Sequence, residues 1–257
     1  MISIQGDFTV TILGEIWQAA VDFSLCKVTE PTPDPDPDPD PDPGFSLGVD
    51  GSYWSLGEAA GVRADSNGLR DMAPATNSPA NAAGKSGNAL LADGANYLRA
   101  TGIDVINLQA NGATVWGWIY PTNIGTMGIL QNSTNLNMAL VYRGEFNQLT
   151  FRVNDSVSGA STATNPVTLP LNAWHFVWGR YDPVSKQAEV GYNDIPGTIG
   201  TPLATGANVL GGLEIGRYGA TIADNCLFDE VGLVLRKLTD QEIAYLYNGG
   251  DGNFYPF

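Results

Sequence analysis

Thr114-Val115-Trp116-Gly117-Trp118-Ile119-Tyr120-Pro121 is a β-strand written in alternation. Successive strand side chains project to opposite faces, so Trp116, Trp118 and Tyr120 share one face and Val115, Gly117 and Ile119 the other. The same texture recurs along the chain. Met138 to Tyr142, Gln148 to Val153, His175 to Tyr181, Gln187 to Tyr192, Leu213 to Arg217 and Phe228 to Leu235 are further strand candidates, separated by clusters of Gly, Asn, Asp and Pro. Short strands punctuated in this way predict an all-β antiparallel sandwich or barrel. The 31 glycines and 16 prolines among 257 residues supply the turns, and a hydrophobic fraction of 43% supplies a core.

One helix interrupts this pattern near the C-terminus. Thr239-Asp240-Gln241-Glu242 has the spacing of a capping box, in which the Thr hydroxyl accepts from the Glu242 N–H and the Glu side chain reaches back. Ile243, Leu246 and Tyr247 then share a face, and Gly249-Gly250 is expected to end the helix.

Before the sandwich region the composition changes abruptly. From Pro31-Thr32-Pro33-Asp34 to Pro43-Gly44 proline and aspartate alternate. That segment has nothing apolar to bury and lacks regular N–H donors, so it is expected to run as an extended, solvated strut. It sets apart an N-terminal segment with two alternating runs. Phe8, Val10 and Ile12 form one, Val21, Phe23 and Leu25 the other, with Gly14-Glu15 as the turn. Two strands cannot build a core of their own, so the apolar positions Phe8, Val10, Ile12, Trp17, Val21 and Phe23 are expected to be an assembly anchor. The predicted organisation is an anchor at 1–30, a linker at 31–44 and a β-sandwich domain at 45–257.

The formal charge is −15, and setting aside the linker aspartates Asp34, Asp36, Asp38, Asp40 and Asp42 still leaves −10. Such a surface repels phosphate backbones and anionic lipid, which argues against nucleic-acid binding and polybasic membrane modes. No apolar run approaches the length of a membrane span. Met1 to Asp7 lacks the basic residue of a secretory signal, so export by that route is not expected. Cys26 and Cys226 lie too far apart in sequence to suggest a disulfide framework and read as free thiols.

Several blocks in order resemble a known family. Tyr53-Trp54-Ser55-Leu56-Gly57-Glu58 opens the series, followed by Gly84-Lys85-Ser86-Gly87-Asn88-Ala89 and Ala92-Asp93-Gly94-Ala95-Asn96-Tyr97-Leu98. The 114–121 strand, Trp174-His175-Phe176-Val177, Leu213-Glu214-Ile215-Gly216, Phe228-Asp229-Glu230-Val231 and the capping-box helix complete it. Together they resemble LamG-like domains of the concanavalin A-like lectin/glucanase superfamily. The resemblance implies a jelly roll of two curved antiparallel sheets. It does not fix a function, since such domains include lectins, adhesion modules, glycosidases and structural domains.

Candidate site residues follow from chemistry. If the stripe Trp116, Trp118 and Tyr120 faces outward, it offers a platform on which sugar rings stack. The alternative is that these aromatics are the core, with the small residues Val115, Gly117 and Ile119 packed beneath a loop or helix. Asp93 and Asn96 flank Gly94, and many LamG-like domains hold Ca2+ at loop ends with such residues. Turn chemistry is the alternative reading, and Asp224-Asn225 is a similar pair. His175, the only histidine, is expected to hydrogen-bond locally at a strand start. Retaining glycosidases need two carboxyls about 5 Å apart in one cleft. No Glu-x-Asp-x-x-Glu occurs, Glu145, Glu189 and Glu214 are isolated, and Asp229-Glu230, being adjacent on a strand, should face opposite sides. No catalytic residue is therefore assigned.

These readings converge on a non-enzymatic display protein: an anchor, a stiff spacer, and a LamG-like domain presented outward to host or environmental glycans. The expected setting is a phage virion, as a head fibre, decoration protein or tail appendage, with other virion proteins or copies of the same chain as partners. A bacterial cell-surface or secreted adhesin, a glycoside hydrolase and a ligand-free spacer are the alternatives.

Overall fold

The computed structural model describes residues 2–12, 15–25, 44–100, 108–132, 136–155, 159–207 and 212–257. The chain divides into two units, Met1–Asp42 and Pro43–Phe257. In the first, strands Ile2–Ile12 and Glu15–Leu25 pair antiparallel in unbroken register, with Val10 opposite Trp17 and Phe8 opposite Ala19. That register puts positions 8, 10, 12, 17, 21 and 23 on one face of the hairpin. The expected strut lies outside the described residues except for its last residue, Gly44, and Cys26 lies outside them as well.

The second unit is a sandwich of two large antiparallel sheets. The seven-stranded sheet runs Ala160–Pro166, Gln148–Asn154, Met138–Arg143, Thr126–Asn132, Leu213–Ile215, Leu98–Ala100, Met72–Pro74. The eight-stranded sheet runs Thr198–Ile199, Gln187–Tyr192, His175–Asp182, Ala113–Pro121, Asp224–Val234, Asn88–Asp93, Asn81–Ala83, with Ser52–Trp54 also on Asp224–Val234. Between them lies the main core, to which the alternate residues Val115, Ile119, Val177, Leu140, Phe151 and Phe228 contribute. Burying each such side chain stabilises by roughly 1.5–3 kcal/mol. Cys226 is a free, buried thiol.

Helix Asp240–Tyr247 begins as expected. The Thr239 hydroxyl accepts from Glu242 N–H at 3.2 Å, and Thr239 N–H donates to Glu242 Oε2 at 2.8 Å. It ends one residue earlier than the glycine pair suggested. Asn248 already takes the left-handed conformation, at φ 47°, and its N–H reaches Ala244 O. Among the described residues no helix is long and apolar enough to cross a membrane.

Candidate functional site

The two outer faces of the sandwich differ in kind. On the eight-stranded sheet, one cross-strand row reads Gly191, Trp178, Trp116, Gly232, Tyr53. The glycines let the indoles lie flat: a Cβ on Gly191 would sit 2.2 Å from Trp178, and one on Gly232 would sit 2.0 Å from Trp116. Over these rings pack Phe45, Ile243 and Leu246, with Tyr247, Phe254 and Phe257 around them. Trp116 and Trp118 are each only 2% exposed. Neither reading of the stripe holds as made: Val115 and Ile119 face the inter-sheet core, which puts the aromatics on the outer face, but Trp116 and Trp118 are covered there as a satellite core beneath the C-terminal helix and tail. Tyr120 stays partly exposed and meets Trp174 at a tilt of 58°, with ring centroids 5.4 Å apart.

The outer face of the seven-stranded sheet is polar. Direct cross-strand partners place Arg99, Glu214, Gln131, Ala139, Arg152 and Thr162 in one row across five neighbouring pairings. The parallel row reads Gly128, Val141, Thr150, Thr164. At one end of the first row the side chains are wired together. Glu214, 1% exposed, accepts from Arg99 Nη2 at 2.6 Å and Nε at 2.9 Å through Oε1, and from Gln131 Nε2 at 2.6 Å through Oε2. Tyr97 Oη accepts from Arg99 Nη2 at 3.1 Å and from Arg217 Nη1 at 3.0 Å. The bond to Glu214 raises the Arg99 pKa above its ordinary value, although burial opposes the charge. The short hairpin of strands Arg217–Tyr218 and Thr221–Ile222 folds over Gly128, where any Cβ would meet Arg217 O at 2.0 Å. Sequence reasoning named none of these residues as a site. Glu214 stood there as an isolated carboxylate, because its hydrogen-bond partners Arg99 and Gln131 are separated from it by more than 80 positions and only strand order brings them together.

Asp93 and Asn96 do meet, through turn chemistry. Asp93 Oδ1 accepts from the N–H groups of Ala95 and Asn96, each at 3.0 Å, and Oδ2 accepts from Asn96 Nδ2 at 2.6 Å. Asn96 Oδ1 is held by Thr76 Oγ1 at 2.9 Å and Asn77 N–H at 3.0 Å. Among the described residues no group of three or more His, Cys, Asp or Glu is placed to hold a metal ion. His175 Nε2 lies 2.8 Å from Pro170 O, and burial lowers its pKa.

Asp229 and Glu230 correct the sequence reading. They were expected on opposite faces, but the register against Ala113–Pro121 slips between Asp229 and Gly232, and Glu230 takes a left-handed φ of 52°. The bulge turns both carboxyls toward the satellite core, where Glu230 bonds the Tyr53 hydroxyl and Asp229 Oδ2 accepts from Lys85 N–H at 2.8 Å and Ser86 N–H at 3.0 Å. Burial pushes Asp229 up to about 8 and Glu230 up to about 7. Lys85 Nζ bonds Gly250 O at 2.6 Å, and Tyr255 N–H bonds Tyr53 Oη at 3.3 Å, so the tail closes over this pair.

Residues 92–244 match the profile of the concanavalin A-like lectin/glucanases superfamily. The protein belongs to that superfamily. The binding domain of Paraclostridial Mosquitocidal Protein 1 shares the fold at a TM-score of 0.62 and 13% identity, over 79% of this chain and 53% of that one. The binding domain of botulinum neurotoxin DC, in complex with SialylT, does so at 0.56 and 14%, over 76% and 52%. Trypanosoma rangeli sialidase does so at 0.54 and 15%, over 79% and 33%. The chain thus spans about half of each toxin domain and a third of the sialidase, and at these identities the likeness is one of fold. No curated protein matches the chain.

Proposed function

We propose that this protein is a non-enzymatic adhesion module that binds glycans through the outer face of its seven-stranded sheet. The carrying observation is the contrast between the two faces. One is sealed by the chain's own helix and tail, while the other presents exposed Arg99 and Thr162 and half-buried Arg152 and Thr164 around the buried Glu214–Gln131 pair, guanidinium and hydroxyl groups that can pair with sugar hydroxyls. The toxin domain solved with SialylT is a precedent for sugar binding by a protein containing this fold. A non-enzymatic role is supported by the placement of Asp229 and Glu230, 0% and 4% exposed under the tail, where no polysaccharide reaches them.

Residues 1–30 act as the anchor and 31–44 as the spacer, and the setting is a virion surface, as a head fibre, decoration protein or tail appendage. Support comes from the hairpin, whose paired 11-residue strands line up the apolar positions Phe8, Val10, Ile12, Trp17, Val21 and Phe23 without a third strand to cover them among the described residues. Glycan-array binding of the full chain, with Arg152→Ala and Gln148→Ala as sheet-face variants, tests the sugar reading. Binding weakened by both variants is expected, and an array without any bound glycan overturns it. Immunogold microscopy on purified particles tests the setting, and unlabelled particles overturn it.

A further inference from the structure

Resting on the reading that this sheet face meets glycans, we infer that Arg99, Arg217 and Tyr97 form a capture point for the carboxylate of an acidic sugar. Two guanidiniums converge here on one phenol oxygen and one carboxylate oxygen. Arg99 commits Nε and Nη2 to Glu214 and Tyr97, and Arg217 commits Nε to Gly219 O at 2.7 Å and Nη1 to Tyr97 Oη. Among the described residues, Nη1 of Arg99 and Nη2 of Arg217 have no acceptor. Tyr97 Oη accepts from both arginines, so its own hydrogen remains to be donated. Three donors without acceptors therefore belong to groups that meet at Tyr97 Oη.

The charge balance has the same sense. Glu214 is the only acid within 4.0 Å of either arginine among the described residues, and it serves both, at 2.6 Å and 3.6 Å. Each guanidinium repels the other, and a bound anion relieves that repulsion. The pair is also accessible: the Arg99 side chain is 46% exposed and that of Arg217 27%, while Glu214 is 1% exposed and fixed from behind by Gln131. By contrast Arg180, beneath the helix, is held by both Glu189 and Asp240.

The rest of the face adds to the pull. Among the described residues Arg152 bonds only the neutral Asn154 side chain, at 3.0 and 3.3 Å, and Arg143 is 3.9 Å from Glu145. Among the described residues named on this face, Arg99, Arg217, Arg152 and Arg143 thus stand against Glu214 and Glu145, in a chain whose net charge is −15. A planar carboxylate suits paired guanidinium edges, since it accepts two parallel N–H bonds, and the hydroxyls of the sugar that carries it can extend across the face toward the half-buried Arg152 and exposed Thr162.

The test titrates the 15N-labelled full chain with D-glucuronic acid, N-acetylneuraminic acid, D-glucuronic acid methyl ester and galactose 6-sulfate, reading the arginine Nε–Hε signals. The two acids are expected to move Arg99 and Arg217 and to bind about tenfold more tightly than the ester, the factor one charge-assisted contact supplies. Added salt should weaken the acids and leave the ester unchanged. Arg217→Gln should remove the preference for acid over ester. Arg99→Lys, which keeps a cation beside Glu214, should reduce it. Equal affinity for acid, ester and sulfate, or shifts confined to other residues, overturns the carboxylate assignment. If neutral oligosaccharides move the sheet face without preference for acid, only this inference falls. If no sugar, acidic or neutral, moves it, the sugar-binding reading falls too.

Discussion

Gly232 lies against the indole of Trp116 so closely that a methyl group in place of its hydrogen would sit 2.0 Å from Cζ2. The contact exists because two neighbouring strands put a glycine directly opposite a tryptophan. It lets the ring lie flat, which makes the aromatic face low enough for the C-terminal segment to cover.

Gly232→Ala should therefore destabilise the sandwich by about 3 kcal/mol, because Trp116 is packed and has no space to withdraw into. Gly57→Ala, where the nearest atom to a new Cβ is Asn88 O at 3.6 Å, should change stability by less than about 0.5 kcal/mol. Urea unfolding of both variants measures the difference, and equal effects would refute the packing argument.

Asp229 and Glu230 should make the protein less stable as pH rises through neutrality. Both titrate near 4 when unfolded, but burial holds them protonated up to about 8 and about 7 in the folded chain. The folded state then binds more protons than the unfolded one between about pH 4 and pH 8, so stability is greatest below that window and is lost across it. Asp182 and Glu242 oppose this only on the acid side. Burial works against their charged forms, but Val184 N–H with Lys237, and Arg236 with Thr239, hold them below the usual carboxylate range. Their contribution is lost as pH falls below about 4. Urea midpoints should decline from pH 5 to pH 8.5, and Asp229→Asn should flatten the decline. A slope unaltered by that substitution would show that other groups govern it.

Chelation of calcium should leave the melting temperature unchanged, since both Asp93 carboxylate oxygens already accept from Ala95 and Asn96. Asp93→Ala should cost about 1 kcal/mol with or without calcium, through the lost turn bonds. A melting temperature that rises with added calcium and no longer does so in the variant would restore the loop as a metal site.

Removing residues 1–43 should leave a sandwich that melts cooperatively at an unchanged temperature, because among the described residues its core clusters are built from positions 45–257. In the full chain, Phe8→Asp together with Ile12→Asp should abolish assembly, since an unpaired buried charge costs several kcal/mol. Sedimentation and particle incorporation measure the two effects. Incorporation of the truncated chain would show that the anchor lies elsewhere.

The local part of the fold was legible. Alternation marked Ala113–Pro121, His175–Asp182 and Gln187–Tyr192 nearly to the residue, and the Thr239–Glu242 spacing marked the helix start, because both signals depend on neighbours within four positions. The three-residue strands Met72–Pro74, Asn81–Ala83 and Leu98–Ala100 were missed, being too short to show a period. Thr126–Asn132 carries a bulge that interrupts its alternation, and Ala160–Pro166 is built largely of small polar residues that read as loop.

By itself, then, the sequence determined the class of fold and the order of its family blocks, since strand alternation, turn residues and a capping box are short-range properties. Tertiary structure alone decided which aromatic face is covered, because that depends on where the tail of the chain returns. It also decided that Asp229 and Glu230 share a side, because the bulge forms only against the neighbouring strand. The Arg99–Glu214–Gln131 row is of the same kind: its members come from three segments far apart in sequence, and only the pairing of their strands makes them one surface.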